Sequence, residues 1–287
     1  MLQMYNMKVF YILLLAFFLL KSLQLPSQND YIAYYNKISE AESSFCNREF
    51  KTAEYLYLEA FQYSDPLFRD ILNYSRCLIV NKSARIDSVR KIILSSAKKR
   101  GPYLSFHYKK DSILQVLDTS GFFEDLRHME SGRKIDSIAL TKVQLLLAVD
   151  QFVRIQASDG CAINIIDDFI ESELLKMIAE SGYPGYRLIG TDEASVLLSH
   201  MANSKNVEKI EKILYLEVKK GNLEPVHFGY FIDRRYSMKN QCGLNMLYTK
   251  NLCNGKTDTE VINRRKECGI TTLNPKYYRT YKLDCEK

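Results

Sequence analysis

Tryptophan is absent from the 287 residues, and glycine and proline number only 12 and 6. A sandwich or barrel built from many short strands needs turn residues about every 8–12 positions, and so few Gly and Pro argue against one. Histidine is scarce as well. The four, at positions 107, 128, 200 and 227, are too dispersed to nominate a metal cluster. The phosphate-cradling loops G-x-x-x-x-G-K and G-x-G-x-x-G, the elbow G-x-S-x-G and the zinc helix H-E-x-x-H do not occur. The sequence therefore nominates no metal ligands and no cofactor.

A dense basic run is also missing. The net charge of +6 is split between residues 1–29, with Lys8 and Lys21, and residues 250–287, with nine Lys or Arg against five Asp or Glu. Between them the charges balance. A basic tail, 276–287, without a Lys/Arg cluster reads as a solvated surface, and nucleic-acid binding is not expected.

What is abundant is apolar side chains, 46% of the chain, with 20 Tyr and 14 Phe. Twelve of them run unbroken from Val9 to Leu20 behind Lys8. That length suits the core of a signal peptide and falls short of the roughly 20 residues a membrane-spanning helix needs. Residues 1–25 are accordingly expected to direct export, to the periplasm or cell envelope, or to stay as an N-terminal membrane tether. Seven cysteines, at 46, 77, 161, 242, 253, 268 and 285, lack zinc spacing. One or two disulfides among the last four suit an oxidising compartment, while Cys46 and Cys77 sit in helical patterns as buried apolar thiols.

Beyond the leader the apolar period is that of helices, and no strand pattern of comparable strength is present. Phe50, Ala53, Tyr57 and Ala60 share one face, and Asp65-Pro66 breaks that helix. Further helices are expected over 67–80, 86–99, 135–156, 166–181, 194–200 and 207–219, with another opened by Pro225. Thr191 reads as the N-cap of the 194–200 helix. In the 135–156 helix the apolar positions are Ile138, Leu145, Leu146, Val149 and Val153. Two short helices between 103 and 130 close the first region, and Ser131-Gly132-Arg133 is the expected boundary.

The Phe50, Ala53, Tyr57 and Ala60 pattern, with Pro66 after it and a helix–turn–helix order at about 34-residue spacing, resembles tetratricopeptide repeats. That resemblance implies, over residues 31–130, a short stack of helical hairpins with a groove for a protein partner. Residues 135–275 resemble a widespread bacterial domain family of unknown function. The matching positions are Asp150-Gln151 with Arg154, Gly182-Tyr183-Pro184 with Gly190, His200, Asp233-Arg234, Gln241 with Gly243, and Arg264-Arg265 with Gly269. This second resemblance implies a mostly helical domain but no substrate. The expected fold is thus all-α: a tetratricopeptide-like hairpin stack followed by a second, mostly helical domain.

The candidate catalytic residues are His200, Asp150, Arg154, Asp233, Arg234 and Gln241. Asp150 and Arg154 stand four apart and can pair across one helical turn. His200 offers a base near neutral pH, or a favourable charge at a helix C-terminus. Arg234 could pair with Asp150 across helices, and Asp167-Asp168 with Glu171 read as acids at a helix start. Two functions remain open at this stage. One is a non-catalytic interaction protein of the cell envelope, and the other a hydrolase with His200 as base in a cleft lined by the remaining five.

Overall fold

In the computed structural model the described residues are 30–100, 111–118, 121–130, 135–156, 160–185, 187–191, 193–239, 241, 243–244 and 259–270. The expected leader and the basic tail lie outside them. Among the described residues eleven α-helices run in order: α1 Tyr31–Cys46, α2 Phe50–Tyr63, α3 Phe68–Asn81, α4 Ile86–Arg100, α5 Phe122–Glu130, α6 Ser137–Gln156, α7 Gly160–Ser181, α8 Ala194–His200, α9 Val207–Lys219, α10 Pro225–Ser237 and α11 Thr259–Glu267. Short 3-10 turns occupy Leu114–Leu117 and Met201–Asn203, and no strand occurs among the described residues. The protein is all-α, with helices stacked as hairpins.

Local chemistry sets the joints. Asp30 caps α1, its side chain accepting from the Ala33 amide at 3.0 Å. Arg48, at φ 65°, turns the chain back between α1 and α2, and Ala53 and Ala60 are fully buried where the two helices meet. α2 stops at Tyr63, just before Asp65-Pro66, as the proline requires. Lys82, left-handed at φ 53°, ends α3. α9 stops at Gly221, whose φ of 67° and missing side chain are both needed, because a Cβ there would lie 2.3 Å from the Tyr31 ring.

Two expected boundaries differ. α7 starts at Gly160, six residues earlier than its apolar period suggests, because its first turns are exposed and carry no core pattern to read. The N-cap of α8 is Glu193 rather than Thr191, whose hydroxyl instead accepts from the Glu193 amide at 3.4 Å.

The largest apolar cluster joins α1 and α2 to the second half of the chain, bringing Tyr34, Ile38 and Tyr57 together with Leu146, Ile170, Leu214 and Phe231. A second cluster unites α3, α4 and α5 through Leu72, Ile93, Leu117 and Leu126. α3 is the hinge between them, and polar groups are buried along it. Asp70, Asn73 and Arg76 all lie inside. Tyr34 donates to Asp70 at 2.5 Å, and Arg69 spans Asp70 at 3.0 Å and Glu224, the N-cap of α10, at 2.7 Å. Arg76 meets Asp111 at 2.7 Å, and Asn73 donates to Glu42 at 3.2 Å. Each buried charge has an opposite charge or a donor beside it, as burial demands.

Glu42 is the member with a pH signature. Burial pushes its carboxyl from 4.5 up to about 8, against the pull of Arg69 and with help from Asp70 and Glu224. Between those two pH values the folded chain holds a proton that the unfolded chain has released. Stability therefore falls as pH rises across that window, by up to about 1.4 kcal/mol per pH unit. Glu42→Gln, shaped like the protonated acid, should flatten urea-denaturation stability between pH 5 and pH 9 relative to the wild type. An unchanged slope in the variant would show that Glu42 is not the titrating group.

Cys46 is disulfide-bonded, its partner lying outside the described residues. This corrects its reading as an apolar thiol. Sequence periodicity places it at the end of α1 but does not reveal what approaches from far along the chain. Cys77 is free and buried, its thiol pushed up to about 12 by burial, and Cys268 is likewise free and pushed up to about 12. Neither supplies a reactive thiolate.

Candidate functional site

α6, α7 and α8 meet at a polar corner. α6 turns Ala139, Val143, Leu146 and Asp150 inward at spacings of three and four. Asp150, last of that row, is buried and gathers three partners. Gln151 donates to Oδ2 at 2.6 Å, and Arg154 Nε donates to Oδ1 at 2.9 Å. His200 Nδ1, on the last residue of α8, lies 2.9 Å from the same Oδ1. Arg154 continues to Asp167 on α7. One turn further along α7, Glu171 accepts from Asn206 in the turn before α9.

Two neighbours of Nδ1 bear on the histidine tautomer. Arg154 Nε also lies 3.0 Å from His200 Nδ1. Both nitrogens point at one carboxylate oxygen, which has lone pairs for two donors. With the proton on Nδ1, both contacts to Asp150 are attractive, and Nε2 keeps its lone pair. A proton on Nε2 would let Nδ1 accept from Arg154 Nε, but would set its lone pair against the carboxylate. Asp150 thus orients His200 as an orienting carboxylate does for a general base.

The two carboxyls on Arg154 are driven apart. Burial alone would raise Asp150, but the hydrogen bond and charge of His200, together with Arg154, hold it below its ordinary value. At Asp167 burial outweighs Arg154 and His200, and the carboxyl is raised.

Three of the six sequence candidates, Asp150, Arg154 and His200, come together. Asp233 is used elsewhere: it is fully buried on α10 and accepts from the Leu244 amide at 2.8 Å, pinning the segment that also takes Arg265 at Leu244 O and Arg264 at Gly243 O. Arg234, its neighbour, is half-buried on α10, and the place beside Asp150 is filled by Arg154 and His200. Gln241 is exposed, its amide bonded to Tyr236 O at 3.0 Å. Asp167 joins the cluster although it reads as an acid at a helix start. Seven residues into α7, it is beyond reach of the helix N-terminus and pairs with Arg154 instead. Its signal in the sequence was only its level opposite Arg154 in a helical hairpin.

The other face of α6 is the less expected feature. Ile138, Leu145, Phe152 and Ile155 are 82%, 63%, 66% and 76% exposed, and on α7 Ile165 and Phe169 are 66% and 51% exposed. Among the described residues no group of three or more His, Cys, Asp or Glu is placed to hold a metal ion, and no helix is long and apolar enough to cross a membrane. An apolar void of about 10 Å³ between α7, α8 and α9, lined by Leu174, Leu198, Met201 and Leu214 among others, is at the lower limit for holding one water. No protein-family model, curated protein or solved structure matches the chain.

Proposed function

We propose that this is a non-catalytic interaction protein of the cell envelope that engages a protein partner through the outer face of α6 and α7. The row of exposed large apolar side chains on α6 carries this reading. Burying each such side chain is worth about 1.5–3 kcal/mol, and contiguous apolar surface of this kind marks a contact site. The polar corner behind it supports the same reading. Asp150, Arg154, Asp167 and His200 satisfy one another and hold α6 to α7 and α8, which keeps the outer face rigid. The tetratricopeptide-like hairpins of residues 31–130 hold the frame that presents it. Export is supported by the Val9–Leu20 run and by the disulfide at Cys46, which belongs in an oxidising compartment. The same run is the candidate for a membrane tether.

A photoactivatable side chain in place of Phe152 should give adducts of discrete mass in cells, and one in place of the exposed Lys51 on α2 should not. His200→Gln should leave those adducts unchanged. No adduct from position 152 would overturn the reading.

The Nε2 of His200, on a ring held at Nδ1 by Asp150, favours a second reading, a hydrolase in which that nitrogen takes a proton from water. In that case ester, amide or glycoside turnover by the wild type disappears in His200→Gln and survives Leu145→Glu.

A further inference from the structure

The exposed row on α6 has a regularity that its individual residues do not suggest. Ile138, Thr141, Leu145, Ala148, Phe152 and Ile155 are all exposed, and they follow one another at alternating steps of three and four. This is the a/d seam of a coiled coil, carried on a helix whose opposite side, Val143, Leu146 and Asp150, is already buried in the protein. We infer that the seam is covered by a second copy of this chain, with the two α6 helices antiparallel across a two-fold axis. This rests on the interaction reading above and names its partner.

The reason is self-complementarity. A two-fold interface must match itself, each residue meeting its counterpart's partner in return. Laid antiparallel about its midpoint, the seam sets Ile138 against Ile155, Leu145 against Ala148, and Phe152 against Thr141, each layer occurring twice. Two layers pair a large side chain with a small one, and the outermost pair two β-branched ones. In parallel alignment Phe152 would meet Phe152 and Ala148 would meet Ala148, alternately overfilling and emptying the seam.

Charge agrees with a like partner. The exposed flanking residues Ser137, Gln144, Gln151 and Gln156 are uncharged. Lys142 is held by Glu173 at 2.6 Å, and Arg154 by Asp150 and Asp167. On α6 itself no charge is left to repel its own copy. The same engagement of both cations argues against a lipid surface, which favours a Lys/Arg rim. The contact at Glu173 also places α7 beside the seam. Phe169 and Ile165, one and two turns before Glu173 on the same stripe of α7, widen the apolar surface that a second copy would bury.

Sedimentation equilibrium of the purified chain tests this. The wild type should pass from monomer to dimer with concentration, and Leu145→Glu or Ala148→Lys should each weaken the dimer by at least about thirtyfold with unchanged helicity, since both positions are exposed. An equimolar mixture of the two variants should recover dimer, because the introduced charges face each other only in the antiparallel layer. A wild type that stays monomeric at about 100 μM, a dimer indifferent to both substitutions, or a mixture that fails to recover would each overturn the pairing. If discrete photo-adducts of another mass still form at position 152, the second copy is rejected and the interaction reading stands. If the wild type binds neutral vesicles through Leu145 instead of dimerising, both fall.

Discussion

Asp111→Ala should lower the unfolding free energy by about 3–5 kcal/mol, read as a fall in the urea midpoint. Asp111 and Arg76 are both buried, and one carboxylate oxygen takes Arg76 Nε at 2.8 Å and its terminal nitrogen at 2.7 Å. The other oxygen accepts the amides of Ile113 and Leu114 at 3.0 and 3.1 Å, starting the turn that carries Leu114 and Leu117 into the second apolar cluster. Removing the carboxylate takes from a buried guanidinium the counter-charge it meets at 2.7 and 2.8 Å and releases two amides at once. The double change Arg76→Met with Asp111→Leu should cost less than Asp111→Ala by itself, because no charge is then left buried without its counter-ion. If the single substitution is the milder of the two, an uncompensated buried charge is not what sets the loss.

Reduction of the disulfide at Cys46, or Cys46→Ser, should cost about 2–5 kcal/mol and lower the thermal midpoint by roughly 10 °C. The size follows from chain topology. Cys77, Cys161 and Cys268 take no part in a disulfide, and the cysteines that remain all follow residue 240. The bridge therefore closes a loop far longer than 100 residues, for which the entropy removed from the unfolded chain is near the top of that range. Thermal unfolding with and without reductant checks it. A wild-type midpoint insensitive to reductant, under conditions where all thiols are shown to be free, would remove the bridge from the stability argument.

Helices were legible because their evidence is local. The 3.6-residue period, Asp65-Pro66 and Pro225 at the first turn of α10 each act within a few residues. Which stripe of a helix faces inward was not legible on α6. Ile138 and Leu145 read as apolar positions beside Leu146, yet only Leu146 is buried with the core. An amphipathic period states that two faces differ. When both carry apolar side chains, the neighbours decide which one turns inward.

The polar sites divide in the same way. Asp150 and Arg154, four apart, announced their own pair. His200, 50 positions on, could be named only as a residue, and its ring meets Asp150 because α8 ends against α6. The network along α3 was missed, although Asp70, Asn73 and Arg76 form a polar stripe at spacings of three on a helix otherwise rich in Phe, Ile and Leu. A polar stripe can face water or a counter-charge with equal ease, and Glu42 and Asp111 lie 31 and 35 residues from their partners.

The sequence by itself thus determined the all-α class, most helix limits and the pairs made within a turn, since these depend on backbone sterics and on side chains a few residues apart. Only the tertiary structure decided which acids meet which arginines, that Asp233 serves the backbone of Leu244 rather than His200, that Cys46 is bridged, and that the seam on α6 faces outward. Those outcomes depend on packing between distant segments, where burial turns small differences in position into large differences in the free energy of a charge.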